Sequence, residues 1–210
     1  MQIILGSKSI SRQQILKEMG YQFSVLDPNI DEKKIRFSDP LKLTLALALA
    51  KAKALLPKIK NPALLITADQ VVRCDGKIIE KPESASEAKE FLQAYAKHPA
   101  ETITAIVVTN TKNKHHAYGI DIAKIWFKPI PKNIMEQIII LDDIYARAGG
   151  FSIENPLIMP YIAKIEGSRD SIMGLPKRLT EELVQKCLQL ATRIKTPRWH
   201  SWIAQSPPKG

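Results

Sequence analysis

This chain predicts an α/β fold built on a mixed, elongated and twisted sheet flanked by helices, and three features of the sequence carry that prediction. The apolar run Ile3-Ile4-Leu5 stops at Gly6 and leads into a helical pattern and then a second alternating run, an order of strand, helix, strand. Thr102 to Thr109 and Ala117 to Phe127 alternate apolar with polar residues around the turn Thr111 to Lys114, the mark of an antiparallel hairpin. Segments with helix start and stop signals separate these strands, so parallel and antiparallel pairing belong to one sheet.

The elements follow in order. Ile3 to Leu5 reads as a strand, Ser11 to Met19 as a helix closed by Gly20, and Tyr21 to Leu26 as a strand. Pro40 suits a first helical turn, and the Leu/Ala/Lys segment behind it extends to Leu56, where Pro57 stops it. Ala63 to Ala68 is apolar enough for a buried strand. Asp69-Gln70 then interrupts it before Val71-Val72, and Asp75-Gly76 supplies a hairpin turn into Lys77-Ile78-Ile79. Ser84 and Glu87 have capping-box spacing, which starts a helix that runs to about Ala96. Pro131 to Leu141 is the next helix, Ala148-Gly149-Gly150 a backbone-permissive loop, Pro160 to Ile165 a strand, and Pro176 to about Thr192 a final helix. A globular domain is therefore expected over 1–192. Residues 193–210, with Arg198-Trp199-His200-Ser201-Trp202 and Pro207-Pro208, read as a basic tail without period.

Composition narrows the function. The net charge is +10, and the stretch from Lys177 onward contributes +5 from seven basic and two acidic residues, so an anionic partner is expected. The greasiest run, Leu43 to Ala50, is too short to cross a bilayer, and no export segment opens the chain. Cys74 and Cys187 stand far apart, without the density of a secreted disulfide scaffold, which places the protein in a reducing cytoplasm.

The chemistry-bearing residues recur near strand ends: hydroxyls and Arg12 at a helix start, Asp31-Glu32 after the second strand, Lys51, Asp69 leaving a buried strand, and Glu80-Lys81-Pro82 beyond the hairpin. Ligands of open α/β sheets bind at the carboxyl ends of strands, so these residues are expected to share one crevice. Carboxylates that hold a metal beside cations that neutralise phosphate oxygens suit a magnesium-bound polyphosphate, and hydrolysis is the natural reaction.

Seven blocks in order then resemble the Maf family: Leu5-Gly6-Ser7-Lys8-Ser9-Ile10-Ser11-Arg12, Ile30-Asp31-Glu32, Ala50-Lys51-Ala52, Thr67-Ala68-Asp69-Gln70-Val71-Val72, Glu80-Lys81-Pro82, Ala148-Gly149-Gly150, and Glu166-Gly167-Ser168 through Gly174-Leu175-Pro176. The match covers roughly residues 3 to 190. The resemblance implies a cytoplasmic nucleoside triphosphate pyrophosphatase with a fold related to the inosine triphosphatases, often a homodimer. It would cleave between the α and β phosphates with a divalent cation, magnesium or alternatively manganese.

By the same resemblance Asp69 is the catalytic proton acceptor and, with Glu32, a metal ligand; Ser7, Ser9, Arg12, Lys51 and Lys81 bind phosphate; Ser11, Gln70 and Glu154 set substrate specificity. The usual Ser-Pro-Arg-Arg is here Ser9-Ile10-Ser11-Arg12, and Gln70 with Glu154 resembles the branch that prefers 7-methyl-GTP over dTTP and UTP. A carboxylate can accept from guanine N1–H and N2–H₂, and a methyl at N7 adds positive charge that an anion favours. The competing reading is a non-catalytic basic regulator that binds nucleic acid or a division partner, with the tail providing the contacts.

Overall fold

The first strand is short because Gly6 ends it. In the structure, a computed structural model describing residues 1–141 and 144–189, β1 (Gln2–Leu5) pairs in parallel with β2 (Phe23–Val25) on one side and β3 (Ala63–Cys74) on the other. β4 (Lys77–Ile79) folds back on β3 through Asp75-Gly76, whose positive φ values of 50° and 74° are those of a tight hairpin turn. β5 (Ala100–Asn110), β6 (His115–Phe127) and β7 (Ile162–Glu166) continue antiparallel, so the sheet runs β2-β1-β3-β5-β6-β7 with β4 off the path. The mixed sheet predicted from the sequence is the one observed.

Helices cover both faces. α2 (Pro40–Leu55) starts where the Asp39 carboxylate accepts from the Leu41 and Lys42 amides, with Pro40 at the first position. Leu43, Leu47, Lys51 and Leu55 recur at four-residue spacing and all are buried, so Lys51 stands in the stripe that faces the sheet. Leu43 and Leu47 pack on Val71 and Ile103, while Leu45 and Ala48 pack on Ala105 and Val107. α1 (Ile10–Glu18) and α6 (Lys177–Gln189) cover the other face with Ile15, Leu16, Leu183 and Val184 against Leu64, Ile66, Ile106 and Val108. α3 (Ala85–Ala94) and α4 (Lys132–Leu141) close the far end, where Tyr95 packs with Phe127 and Phe151.

Two sequence expectations change. The strand placed at Ala63–Ala68 runs to Cys74, so Asp69 lies inside a 12-residue strand and not at its exit. A four-residue helix, α5 (Arg169–Ile172), follows β7, and Ser168 caps it by accepting from the Ser171 amide. The tail at 193–210 and the last residues of the final predicted helix lie outside the described residues.

The length mismatch between neighbours makes the cavity. Only Ala63–Ile66 of β3 pair with β1, whereas its pairing with β5 continues to Arg73. β3 therefore overhangs the end of β1, where Gly6 N–H makes a last bond to the Ile66 carbonyl at 2.8 Å. Side chains alternate along the overhang. Thr67, Asp69 and Val71 face α2, while Gln70 faces α5.

Candidate active site

The cavity at the end of β1 is about 540 Å³, the size of a small-ligand pocket, and Ser7, Ser9, Ser11, Arg12, Glu32, Lys51, Asp69, Gln70, Lys81 and Glu154 all line it. All ten site residues singled out in the sequence thus meet in one place, although they come from six separate stretches of chain.

Its centre is an ion triad. Lys51 Nζ donates to Asp69 Oδ1 at 2.6 Å and lies 2.9 Å from Glu32 Oε1, with Lys51 and Asp69 both buried and the Glu32 side chain 47% exposed. Glu32 arrives on a short turn of 3₁₀ helix, Glu32–Lys34. Burial raises the Asp69 pKa, because a carboxylate loses hydration there, and the opposing fields of Lys51 and Arg12 do not cancel the rise. Glu32 is half in water, and its pKa is lowered: burial opposes the shift, but Lys51, with Lys81 and Arg12 behind it, wins. The two carboxylates thus differ: burial pushes the Asp69 pKa up, and the neighbouring cations hold that of Glu32 down.

The β1–α1 turn forms the second wall. The Ser9 side chain caps α1 by accepting from the Arg12 amide, while Ser7 Oγ accepts from the Ser9 amide at 3.2 Å. Arg12 donates from Nε to the Gly174 carbonyl at 2.9 Å and from Nη1 to the Ala68 carbonyl at 2.8 Å, which leaves its Nη2 edge for a ligand. Burial pushes the guanidinium pKa down and the fields of Asp69 and Glu32 oppose that. Arginine nonetheless stays charged at any working pH. Lys81 is exposed at the rim.

The third wall is the loop through Ala148–Gly150. Gly149 and Gly150 have φ of 78° and 61°, and a Cβ on Gly149 would come within 2.7 Å of Val72 Cγ2, so glycine is required there. Tyr95 Oη donates to the Gly149 carbonyl at 2.8 Å, and Gly149 N–H donates to Glu80 O at 3.0 Å. These bonds hold Arg147 on one side of the loop and Ser152 to Glu154 on the other against the cavity.

Gln70, one of the residues assigned to specificity by resemblance, reaches the cavity from the sheet face opposite Asp69. Its Nε2 donates to Thr104 Oγ1 at 2.8 Å and to the Ser171 carbonyl at 3.0 Å, so it ties β3 to β5 and α5. Glu154 is exposed, and its amide donates to Ser152 Oγ at 3.3 Å. Lys8, Asp27 and Arg147 also line the cavity and were not singled out in the sequence. Lys8 and Asp27 pair at 2.8 Å on the exposed rim. For Arg147 the one available signal was its place directly before the Ala-Gly-Gly block.

No group of three or more His, Cys, Asp or Glu is placed to hold a metal among the described residues. Magnesium commonly takes one or two carboxylates and completes its shell with substrate phosphate oxygens and water, so Glu32 and Asp69 fit that pattern as a pair. Among the described residues no helix is long and apolar enough to cross a membrane.

Comparison with known proteins agrees with the ordered motifs. A 7-methyl-GTP pyrophosphatase of Dictyostelium discoideum is 41% identical over 194 residues, covering 89% of this chain and 98% of the relative. A dTTP/UTP pyrophosphatase of Vibrio parahaemolyticus is 30% identical over 89% of this chain and 97% of its own. A crystal structure titled nucleoside-triphosphatase / dITP/XTP pyrophosphatase, from Mycobacterium abscessus, aligns over 93% of this chain and 100% of its own with TM-score 0.40 and 10% identity, a likeness too slight to bear on the fold. The model of the family described as Maf-like protein matches residues 2–187, nearly all of the described chain, and the protein belongs to the Maf family.

Proposed function

We propose that this protein is a nucleoside triphosphate pyrophosphatase that cleaves the bond between the α and β phosphates of a guanine nucleotide, 7-methyl-GTP first among them, to give the monophosphate and pyrophosphate. The observation that carries the reading is the Lys51 ammonium between Asp69 and Glu32 inside a cavity edged by Arg12, Lys81 and two serines. Reactions at phosphorus depend mainly on positioning and on neutralising charge, which is what this set of groups can do.

Asp69 accepts a proton from the attacking water, and its raised pKa makes it a stronger base than an exposed carboxylate. Lys51, Arg12 and Lys81 neutralise phosphate oxygens and the departing pyrophosphate. Ser7 and Ser9 orient the chain of phosphates through hydroxyl and amide groups at the start of α1. Glu32 and Asp69 would hold magnesium, or manganese in its place, which supplies charge neutralisation and a more acidic bound water. On the base side, Glu154 accepts from guanine N1–H and N2–H₂, and Gln70 fixes the wall opposite. The Dictyostelium relative's 7-methyl-GTP pyrophosphatase activity and these donor and acceptor types support the choice of guanine. The proposal includes a homodimer in the cytoplasm, which light scattering and fractionation test.

Pyrophosphate release from a nucleotide panel with magnesium tests the reaction. Asp69→Asn should lower the rate about 100- to 10,000-fold, the usual worth of a positioned base. Undiminished turnover in that variant refutes the role of Asp69. Absence of turnover by the native protein, combined with salt-sensitive RNA binding, would favour a basic binding protein instead.

A further inference from the structure

Lys8, Asp27 and Arg147 are the charged residues of the cavity that the reading above leaves without a task; Lys8 and Asp27 pair with each other, and Arg147 has no such partner among the described residues. Its Nη1 donates to Ser11 Oγ at 3.4 Å, across the cleft from the other wall. Its Nε is sealed from solvent and has no hydrogen-bond partner among the described residues. A neutral hydroxyl at that distance is a weak acceptor for a guanidinium, which with a carbonyl or carboxylate makes bonds nearer 2.8 Å. Arg12 shows the contrast, since two backbone carbonyls hold it at 2.8 and 2.9 Å. Arg12 is anchored, whereas Arg147 is a planar set of donors that lacks a good acceptor among the described residues.

Arg147 lies on the loop wall of the cavity, opposite the β1–α1 turn that carries Ser11. It shares its wall with Glu154, seven positions along the same segment, and it faces a small side chain, Ser11, that leaves room for a flat ligand. A guanidinium and a carboxylate on one wall are complementary to a base edge that sets a carbonyl beside an N–H donor, and among the common purines guanine carries it. Guanine offers the O6 acceptor beside the N1–H and N2–H₂ donors, while adenine presents an amino donor where O6 would be.

We propose that Arg147 is a specificity-determining residue that donates to the O6 carbonyl of a 6-oxopurine held between Ser11 and Glu154. The proposal rests on the nucleotide reading given above. A methyl group at N7 leaves O6 in place, so the contact serves GTP and 7-methyl-GTP alike and rejects 6-aminopurines.

GTP and 6-thio-GTP isolate the contact, because sulfur is a poor acceptor and the N1–H and N2–H₂ edge is unchanged. kcat/KM for both is measured in the native protein, in Arg147→Met and in Arg147→Lys, with thermal melting to confirm folding. Dissociation constants for the same pair are measured by calorimetry in an Asp69→Asn background. The native protein should prefer GTP roughly tenfold, Arg147→Met should show no preference, and Arg147→Lys, with a single donor point, should fall between. A preference that survives in Arg147→Met, or losses of equal size for both nucleotides, overturns the proposal, the latter marking a phosphate contact or a structural role. If the native protein releases no pyrophosphate, the catalytic reading fails; the calorimetric ratio then still decides whether Arg147 reads O6.

Discussion

Replacing Lys51 with methionine tests the triad most directly, because the stem is kept and only the charge leaves. The ammonium lies 2.6 Å from Asp69 Oδ1 and 2.9 Å from Glu32 Oε1. At the shorter distance, Coulomb attraction with an effective dielectric of about 20 is about 6 kcal/mol before the cost of dehydrating both groups is subtracted. Neighbouring cations are known to shift a carboxylate by about 1 to 3 pKa units, or about 1.4 to 4 kcal/mol, and that net range is the better guide. Burial already raises the Asp69 pKa against Lys51 and Arg12, so removing Lys51 leaves burial and Glu32 opposed by Arg12 alone. The pKa must rise further. The acid limb of the pH profile of kcat/KM, which reports the free enzyme's base, should therefore move up by about 1 to 3 pH units.

Stability follows with a definite sign. A carboxyl whose folded pKa exceeds its unfolded value binds more protons in the folded state. Its favourable contribution is complete below the unfolded pKa of about 4 and is lost as pH rises through the folded value. Lys51→Met should lose denaturation free energy over that window, by about 1.4 kcal/mol for each unit of added shift. Denaturant midpoints at several pH values measure it. An acid limb that stays in place or moves down, in a variant that folds, would refute the pairing of Lys51 with the catalytic base.

Gly6→Ala should destabilise by about 1 to 3 kcal/mol in urea unfolding, because the new Cβ would lie 2.6 Å from Leu55 Cδ1 and 2.7 Å from Cγ2 of Thr67, a stiff side chain that is hydrogen-bonded to Ala48. Tyr95→Phe removes the bond to the Gly149 carbonyl in a site where Tyr95 is 2% exposed, at a cost of about 1 to 3 kcal/mol by the same method, and KM for nucleotide should rise as the loop loosens. Chelation with EDTA should stop turnover and added magnesium restore it. Glu32→Gln should raise the magnesium concentration for half-maximal rate by about tenfold or more, as even outer-shell changes at metals do; rates indifferent to EDTA would remove the metal from the mechanism.

The residues that could be read from the sequence are those whose signals are local. Ser84 as cap, Pro40 as helix start, Asp75-Gly76 as turn and the Ala148–Gly150 loop each announce a backbone requirement within a few positions, and the structure contains each of them. Asp69 shows where such reading stops. An acid in a greasy run reads as an interruption of the strand, and an unpaired buried carboxylate is costly. The strand continues because the compensating cation comes from α2, 18 positions earlier, on a helix face that otherwise looks purely apolar. Arg147 eluded the sequence for the same reason, as its partner Ser11 is 136 positions away, and α5 eluded it because four residues are too few to show a helical period.

The mismatch of two strand lengths then decides what the ten residues can do together. Had β1 continued beside β3 past Ile66, its backbone would cover the edge of Thr67 to Val71, the stretch left between the pairing with β1 and that with β4, and no ligand could approach Asp69 from that side. Ending β1 at Gly6 exposes that edge and delivers the hydroxyls and amides of the next turn to it. Alternation along the overhang does the rest, since consecutive residues face opposite sides of the sheet. Asp69 reaches the charged half of the cavity under α2, and Gln70 reaches the half under α5; in the proposed reaction this alternation would separate phosphate from base on a single strand, without any loop.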